Sequence, residues 1–101
     1  MSKQIHLNLF EMNCVSHITH GMWTHPDNTR ERFNDIEFWT ELAQLLEEAT
    51  FDAMFIADEL APYNTHEDSS DAVVKWAVQC PTHEPSTIVP IITTATFGLI
   101  P

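Results

Sequence analysis

The run Phe51-Asp52-Ala53-Met54-Phe55-Ile56-Ala57-Asp58 constrains the fold more than any other part of the chain. It is a short apolar stretch closed by an acid, and it reads as a buried strand that delivers a carboxylate to its C-terminal edge. Upstream, residues 38–49 carry an amphipathic helical pattern, and residues 5–10 form a second strand candidate. The order is therefore strand, helix, strand. Consecutive parallel strands need such a crossover, and α/β folds built from it place their chemistry at the strand C-terminal edges. Asp58 thus becomes the first candidate functional residue, with a cap or plain surface acid as the alternative reading.

Length bounds how much of such a fold is expected. The chain has 101 residues, whereas an eight-stranded α/β barrel takes about 250. One domain or part of one is expected, an α/β opening portion of something larger. A hydrophobic content of 44% argues for a packed interior. The formal charge is −11, from 15 acids against Lys3, Arg30, Arg32 and Lys75. Four cations scattered over three segments make no basic face, which argues against nucleic acid and anionic membranes as partners. Cys14 and Cys80 lack the close spacing of a zinc motif or a disulfide framework, so a reducing compartment is expected. No signal core, transit segment or membrane-spanning run is read in the sequence, and the expected location is cytoplasmic.

Along the chain, Ile5, Leu7 and Leu9 alternate with polar residues before Phe10, as a strand requires. Residues 11–33 read as a long loop holding Trp23 and the histidines 17, 20 and 25, and a loop of that length in a compact domain points to function. Asn34 with Glu37 suggests a capping box, and Phe38, Leu42, Leu45, Leu46 and Ala49 recur at helical spacing. A second long connection, residues 59–84, contains a short helix near residues 72–78. Residues 85–101 stay open between two readings. Ile88, Val89, Ile91, Ile92 and the threonines favour a strand, while Pro85 suits a helix start and Pro90 suits neither interior.

Several separate segments, in order, carry a resemblance. These are Ile5-His6-Leu7-Asn8-Leu9-Phe10-Glu11-Met12-Asn13-Cys14, Gly21-Met22-Trp23 with His25-Pro26, Phe38-Trp39-Thr40-Glu41-Leu42-Ala43, and the run ending at Asp58. Together they resemble the N-terminus of the bacterial-luciferase-like FMN-dependent monooxygenases. Within that superfamily they are most similar to the group containing nitrilotriacetate monooxygenase component A, dibenzothiophene-sulfone monooxygenase and the pristinamycin synthase subunit. The resemblance implies a TIM (β/α)8 barrel of the luciferase-like type, of which residues 1–101 are the truncated N-terminal strand-helix-strand part. It implies an enzyme that takes reduced FMN from a separate NAD(P)H-dependent flavin reductase and, with O2, oxygenates a small organic substrate. It also implies a homo-oligomer for the full-length enzyme.

By the same resemblance, Asp58 helps seat FMN, and Thr93 and Thr94 occupy the family's small pair near the flavin. Here the family's strand start after that helix is replaced by Phe97-Gly98-Leu99-Ile100-Pro101, and the phosphate site would lie beyond this chain, so productive FMN binding at this length is not expected. A non-catalytic truncated paralogue that acts as a partner-binding fragment is the alternative. Cys14, His17 and His20 are substrate-pocket candidates from their position on the same face, each against a bland reading as a buried thiol or solvated loop histidine. No metal site is expected, because the histidines lack paired short ligand spacings.

Overall fold

The computed structural model describes residues 3–16 and 21–99. Two strands, β1 (Asn8–Met12) and β2 (Ala53–Ala57), pair in parallel from Asn8↔Ala53 to Met12↔Ala57. Helix α1 (Ile36–Glu48) makes the crossover between them, as the strand, helix, strand pattern requires. Two shorter helices follow, α2 (Asp71–Lys75) and α3 (Val89–Ala95). Among the described residues no helix is long and apolar enough to cross a membrane.

The expected first strand, residues 5–10, lies too early. Asp52 sets the true register. Its carboxylate accepts from the Leu7 N–H at 2.8 Å and from His6 Nδ1 at 3.1 Å, and its own N–H donates to the Leu7 carbonyl at 2.9 Å. Ile5 precedes any partner on β2 and is 81% exposed. The strand instead continues through Glu11 and Met12, which the sequence pattern assigns to the loop.

Helix α1 is capped by Asp35, not Asn34. The Asp35 carboxylate accepts the Glu37 N–H at 2.9 Å, while Asn34 closes the 3-10 turn Arg30–Asn34. The buried face is also rotated from the expected one. Trp39, Ala43 and Leu46 are buried, and Leu45 is exposed. Trp39 decides this orientation because it is the largest apolar side chain of the helix and its indole N–H reaches the Phe33 carbonyl at 2.8 Å, so it buries without an orphaned donor.

The C-terminal ambiguity resolves as a helix. Glu84 caps the 3-10 turn Pro85–Thr87 by accepting the Ser86 N–H at 3.0 Å, and α3 starts late enough that Pro90 falls in its first turn. There the missing N–H has no intrahelical partner to lose. Ile88, Ile92 and Leu99 then join Trp39, Ala43, Leu46 and Met54 in one buried cluster. The sheet consequently has two unlike faces. Leu9, Met54 and Ile56 meet the helices, whereas Phe10 and Phe55 stack at 5.3 Å between ring centroids with 46% and 58% of their surface exposed.

Candidate functional site at the strand C-terminal edge

Both strands end on the pair Met12↔Ala57, so Asn13 and Asp58 leave the sheet side by side. Asp58 stands exposed at this edge, free of secondary structure. The return segment of residues 77–83 closes over the β1 side. Cys14 bridges Thr82 in antiparallel fashion, and the Asn13 carbonyl accepts the His83 N–H at 2.9 Å and the Thr82 hydroxyl at 3.2 Å. The hydroxyl of buried Ser16 donates to the Ala77 carbonyl and accepts the Gln79 N–H at 3.2 Å. Ala77 and Gln79 both hold left-handed backbone, φ 50° and 52°. A conformation costing roughly 1 kcal/mol or more per residue persists only where its surroundings enforce it, and here Ser16 does so.

Arg30 ties the first long loop to the same edge. One guanidinium nitrogen sits 2.6 Å from a Glu11 carboxylate oxygen, and another donates to the carbonyls of Met12 and Cys14 at 2.8 and 3.0 Å. Both side chains are mostly buried, 22% and 18% exposed, so these charge-assisted bonds act in a lowered dielectric. Trp23 adds a second tie, its indole N–H donating to the Trp76 carbonyl at 2.9 Å. The loop expected to be functional is thus fastened at both strand and return segment. Sequence reading missed Arg30, Asn13 and Gln79. A lone arginine in a polar loop and two neutral amides carry no spacing signal of their own.

The edge also holds unused hydrogen-bonding capacity. Among the described residues, the buried side-chain oxygens of Asn13 and Gln79 have no partner. Such groups are costly in a finished protein, so each calls for a donor from outside the described set. The Cys14 side chain is fully buried and donates to the Ser16 carbonyl at 2.7 Å. Burial pushes its thiol pKa up, against weaker opposing effects from that hydrogen bond and Arg30, which keeps the sulfur protonated and a poor nucleophile at neutral pH.

The other sequence candidates divide. His17 and His20 lie outside the described residues. Thr93 and Thr94 are exposed on α3, and each hydroxyl is spent on its own helix, donating to the carbonyls of Pro90 and Ile91 at 2.9 and 2.8 Å. Just beyond them the N–H groups of Phe97 and Gly98 donate to Glu47 at the end of α1, which leads into the start of β2. That is the opposite end of the strands from Asp58, so the structure does not bring the two threonines together with it. No group of three or more His, Cys, Asp or Glu among the described residues is placed to hold a metal ion.

A flavin, expected from the resemblance, is matched in part by these residues. Asp58 and the two orphaned amide oxygens are acceptors suited to ring N–H groups. Three of the four cations are already engaged: Arg30 with Glu11, Arg32 with Asp35 and Glu41, and Lys75, which lies 5.0 Å over the Trp76 ring.

No family model matches the chain. Long-chain alkane monooxygenase of Geobacillus thermodenitrificans (strain NG80-2) is 52% identical over 89 residues, 88% of this chain and 20% of that protein. Dimethyl-sulfide monooxygenase of Hyphomicrobium sulfonivorans is 42% identical over 85 residues, 84% and 18% of the two. Nitrilotriacetate monooxygenase component A of Aminobacter aminovorans is 31% identical over 71 residues, 69% and 15%. In three dimensions the crystal structure of long-chain alkane monooxygenase matches with a TM-score of 0.93 at 48% identity, over 98% of this chain and 23% of that one. The crystal structure of a riboflavin lyase with modified FMN and riboflavin matches at 0.81 and 27% identity, over 97% and 23%. The chain spans about a fifth of the length of the curated relatives it matches.

Proposed function

We propose that this chain, homologous to a segment of the luciferase-like flavin monooxygenases, supplies the first two strands and part of the active-site face of a TIM-barrel enzyme that uses reduced FMN and O2 to oxygenate a small organic substrate. The observation that carries this is the match to long-chain alkane monooxygenase over nearly the whole chain, at a TM-score of 0.93. The named substrates of two relatives, a long-chain alkane and dimethyl sulfide, point to an apolar one. The name "component A" of a third supports a separate flavin reductase as partner. A cytoplasmic site of action accords with two unpaired cysteines.

In this reading the reduced flavin supplies the oxygen chemistry, and the protein supplies position and exclusion of water. Asp58 accepts a hydrogen bond from the flavin or from the loop that shapes its pocket. Arg30 and Trp23 hold the first loop as a wall over the strand edge, and Cys14, His17 and His20 stay substrate-pocket candidates from the sequence. Thr93 and Thr94 enter only by resemblance, and their place at the opposite end of the strands sets them apart from the Asp58 edge. The open Phe10–Phe55 face favours a second reading, in which the chain acts as a non-catalytic fragment that docks on complementary barrel strands.

A chimera separates the two readings. Residues 1–101 of this chain replace the matching segment of long-chain alkane monooxygenase, and flavin binding and substrate oxygenation are measured with a flavin reductase present. Retained turnover is expected for the first reading. A folded chimera that binds FMN like its parent yet oxygenates nothing would leave the fragment reading standing.

A further inference from the structure

The Glu11–Arg30 ion pair meets the backbone of β1 as a neighbouring strand would. One Glu11 oxygen accepts the Met12 N–H at 2.9 Å. Arg30, 2.6 Å from the other oxygen, donates to the Met12 and Cys14 carbonyls at 2.8 and 3.0 Å. Along an extended strand the main-chain groups of successive residues turn to opposite edges, so residues two apart face the same neighbour. Leu7 exchanges bonds with Asp52, which leads into β2, so every second residue from Leu7 to Glu11 faces β2. Met12 and Cys14 face the other edge. There one N–H and two carbonyls, spaced as a paired strand would take them, are already bonded to a single pair of side chains.

Charged side chains laid against a strand edge block the addition of another strand, and displacing a mostly buried pair costs more than one main-chain bond returns. We infer that the Glu11–Arg30 pair is a stop: a strand flanking β1 on this edge ends its pairing before Met12. The inference rests on the barrel reading, in which each of eight parallel strands has a neighbour on both sides. Its consequence is positional. Glu11 and Arg30 also line a cavity of about 170 Å³, together with Val15, Ser16, Met22 and Trp23. A strand that paired on to Cys14 would take the place of Arg30 and remove that wall. The stop therefore keeps the cavity at the strand end, and Glu11 and Arg30 are positioning residues for the first long loop.

The chimera that carries residues 1–101 in long-chain alkane monooxygenase tests this. Its crystal structure is expected to show Met12 and Cys14 still bonded to Glu11 and Arg30, with the strand beside β1 ending before Met12. A second measurement follows amide exchange in the chimera bearing Glu11→Val and Arg30→Leu together, which removes both charges and leaves neither stranded. Freed of the stop, the flanking strand takes the Cys14 N–H, and exchange there is expected to slow roughly tenfold, whereas an ion pair that only stabilises the loop gives faster exchange on removal. A neighbouring strand bonded to Met12 or Cys14 in the parent chimera, or exchange at Cys14 that is faster or unchanged in the double variant, would overturn the inference. A folded chimera in which β1 gains no strand on this edge would overturn the barrel reading itself, and the inference with it. Should the double variant fail to fold, the parent structure decides alone.

Discussion

The two faces of the β1–β2 sheet are made from the same strands and differ in what covers them. Residues Leu9, Met54 and Ile56 point at helices this chain supplies, and their neighbourhood contains Trp39 and Ile92 at 1% and 0% exposure. One residue away along each strand, Phe10 and Phe55 stack on a face that remains about half open. Alternation of side chains across a strand makes this contrast unavoidable once one face is buried. Strands apolar on both faces belong to sheets covered on both sides, as in parallel α/β folds. The open face is therefore the imprint of a larger architecture, and the match to a fifth of the length of monooxygenase relatives says which one.

Substitutions on the two faces sharpen the comparison. Trp39→Ala removes the largest buried side chain and is expected to cost about 3–5 kcal/mol, read as a lowered denaturation midpoint. Phe55→Ala, on the open face, is expected to cost less than about 1 kcal/mol and to reduce self-association of the chain at high concentration. Equal losses at the two positions would break the distinction. Because Phe55 also leaves more than half of its apolar surface exposed, the wild-type chain is expected to associate in sedimentation experiments.

Arg30 comes next. Arg30→Ala strands the mostly buried Glu11 carboxylate and frees two carbonyls, a loss of about 2–4 kcal/mol. Its local imprint is faster amide exchange through residues 13–16, with Arg30→Lys restoring less than half, since a single ammonium cannot span the same acceptors. Unchanged exchange in Arg30→Ala would show that the loop is held by other contacts.

The smallest effect is a pH dependence at the exposed start of the sheet. The hydrogen bond from His6, followed by that from the Leu7 N–H, holds the Asp52 carboxyl below the usual carboxylate range. A lowered folded pKa stabilises the fold at pH values above the ordinary carboxylate pKa, and the contribution is lost as pH falls through the lowered value. The Leu7 amide signal is expected to titrate with a midpoint below about 3.9 and to lose that transition in Asp52→Asn. A midpoint at or above the ordinary value would contradict the contact.

How much of this was legible in the sequence follows from which forces act locally. The strand, helix, strand order and the β2 span were readable because apolar runs and helical spacing are local signals. The β1 register was not, since it depends on Asp52 reaching back to Leu7 across 45 positions of chain. The rotation of α1 depended on an indole finding a carbonyl outside its own helix. At the strand edge, the position of Asp58 was legible because the acid directly follows the apolar β2 run. Arg30, Asn13 and Gln79 were not, because their roles exist only once the return segment of residues 77–83 lies across β1.

The central claim is that the edge bearing Asp58 belongs to a flavin site. The most direct measurement is the affinity for reduced FMN, under anaerobic conditions, of the chimera carrying residues 1–101, compared with the same protein bearing Asp58→Ala. Loss of one acceptor from a buried polar contact, about 1–3 kcal/mol, corresponds to roughly ten- to a hundredfold weaker binding with far-UV circular dichroism unchanged. Equal affinity and equal oxygenation rate in the two proteins would contradict it, and would return Asp58 to the role of a surface acid at a strand end.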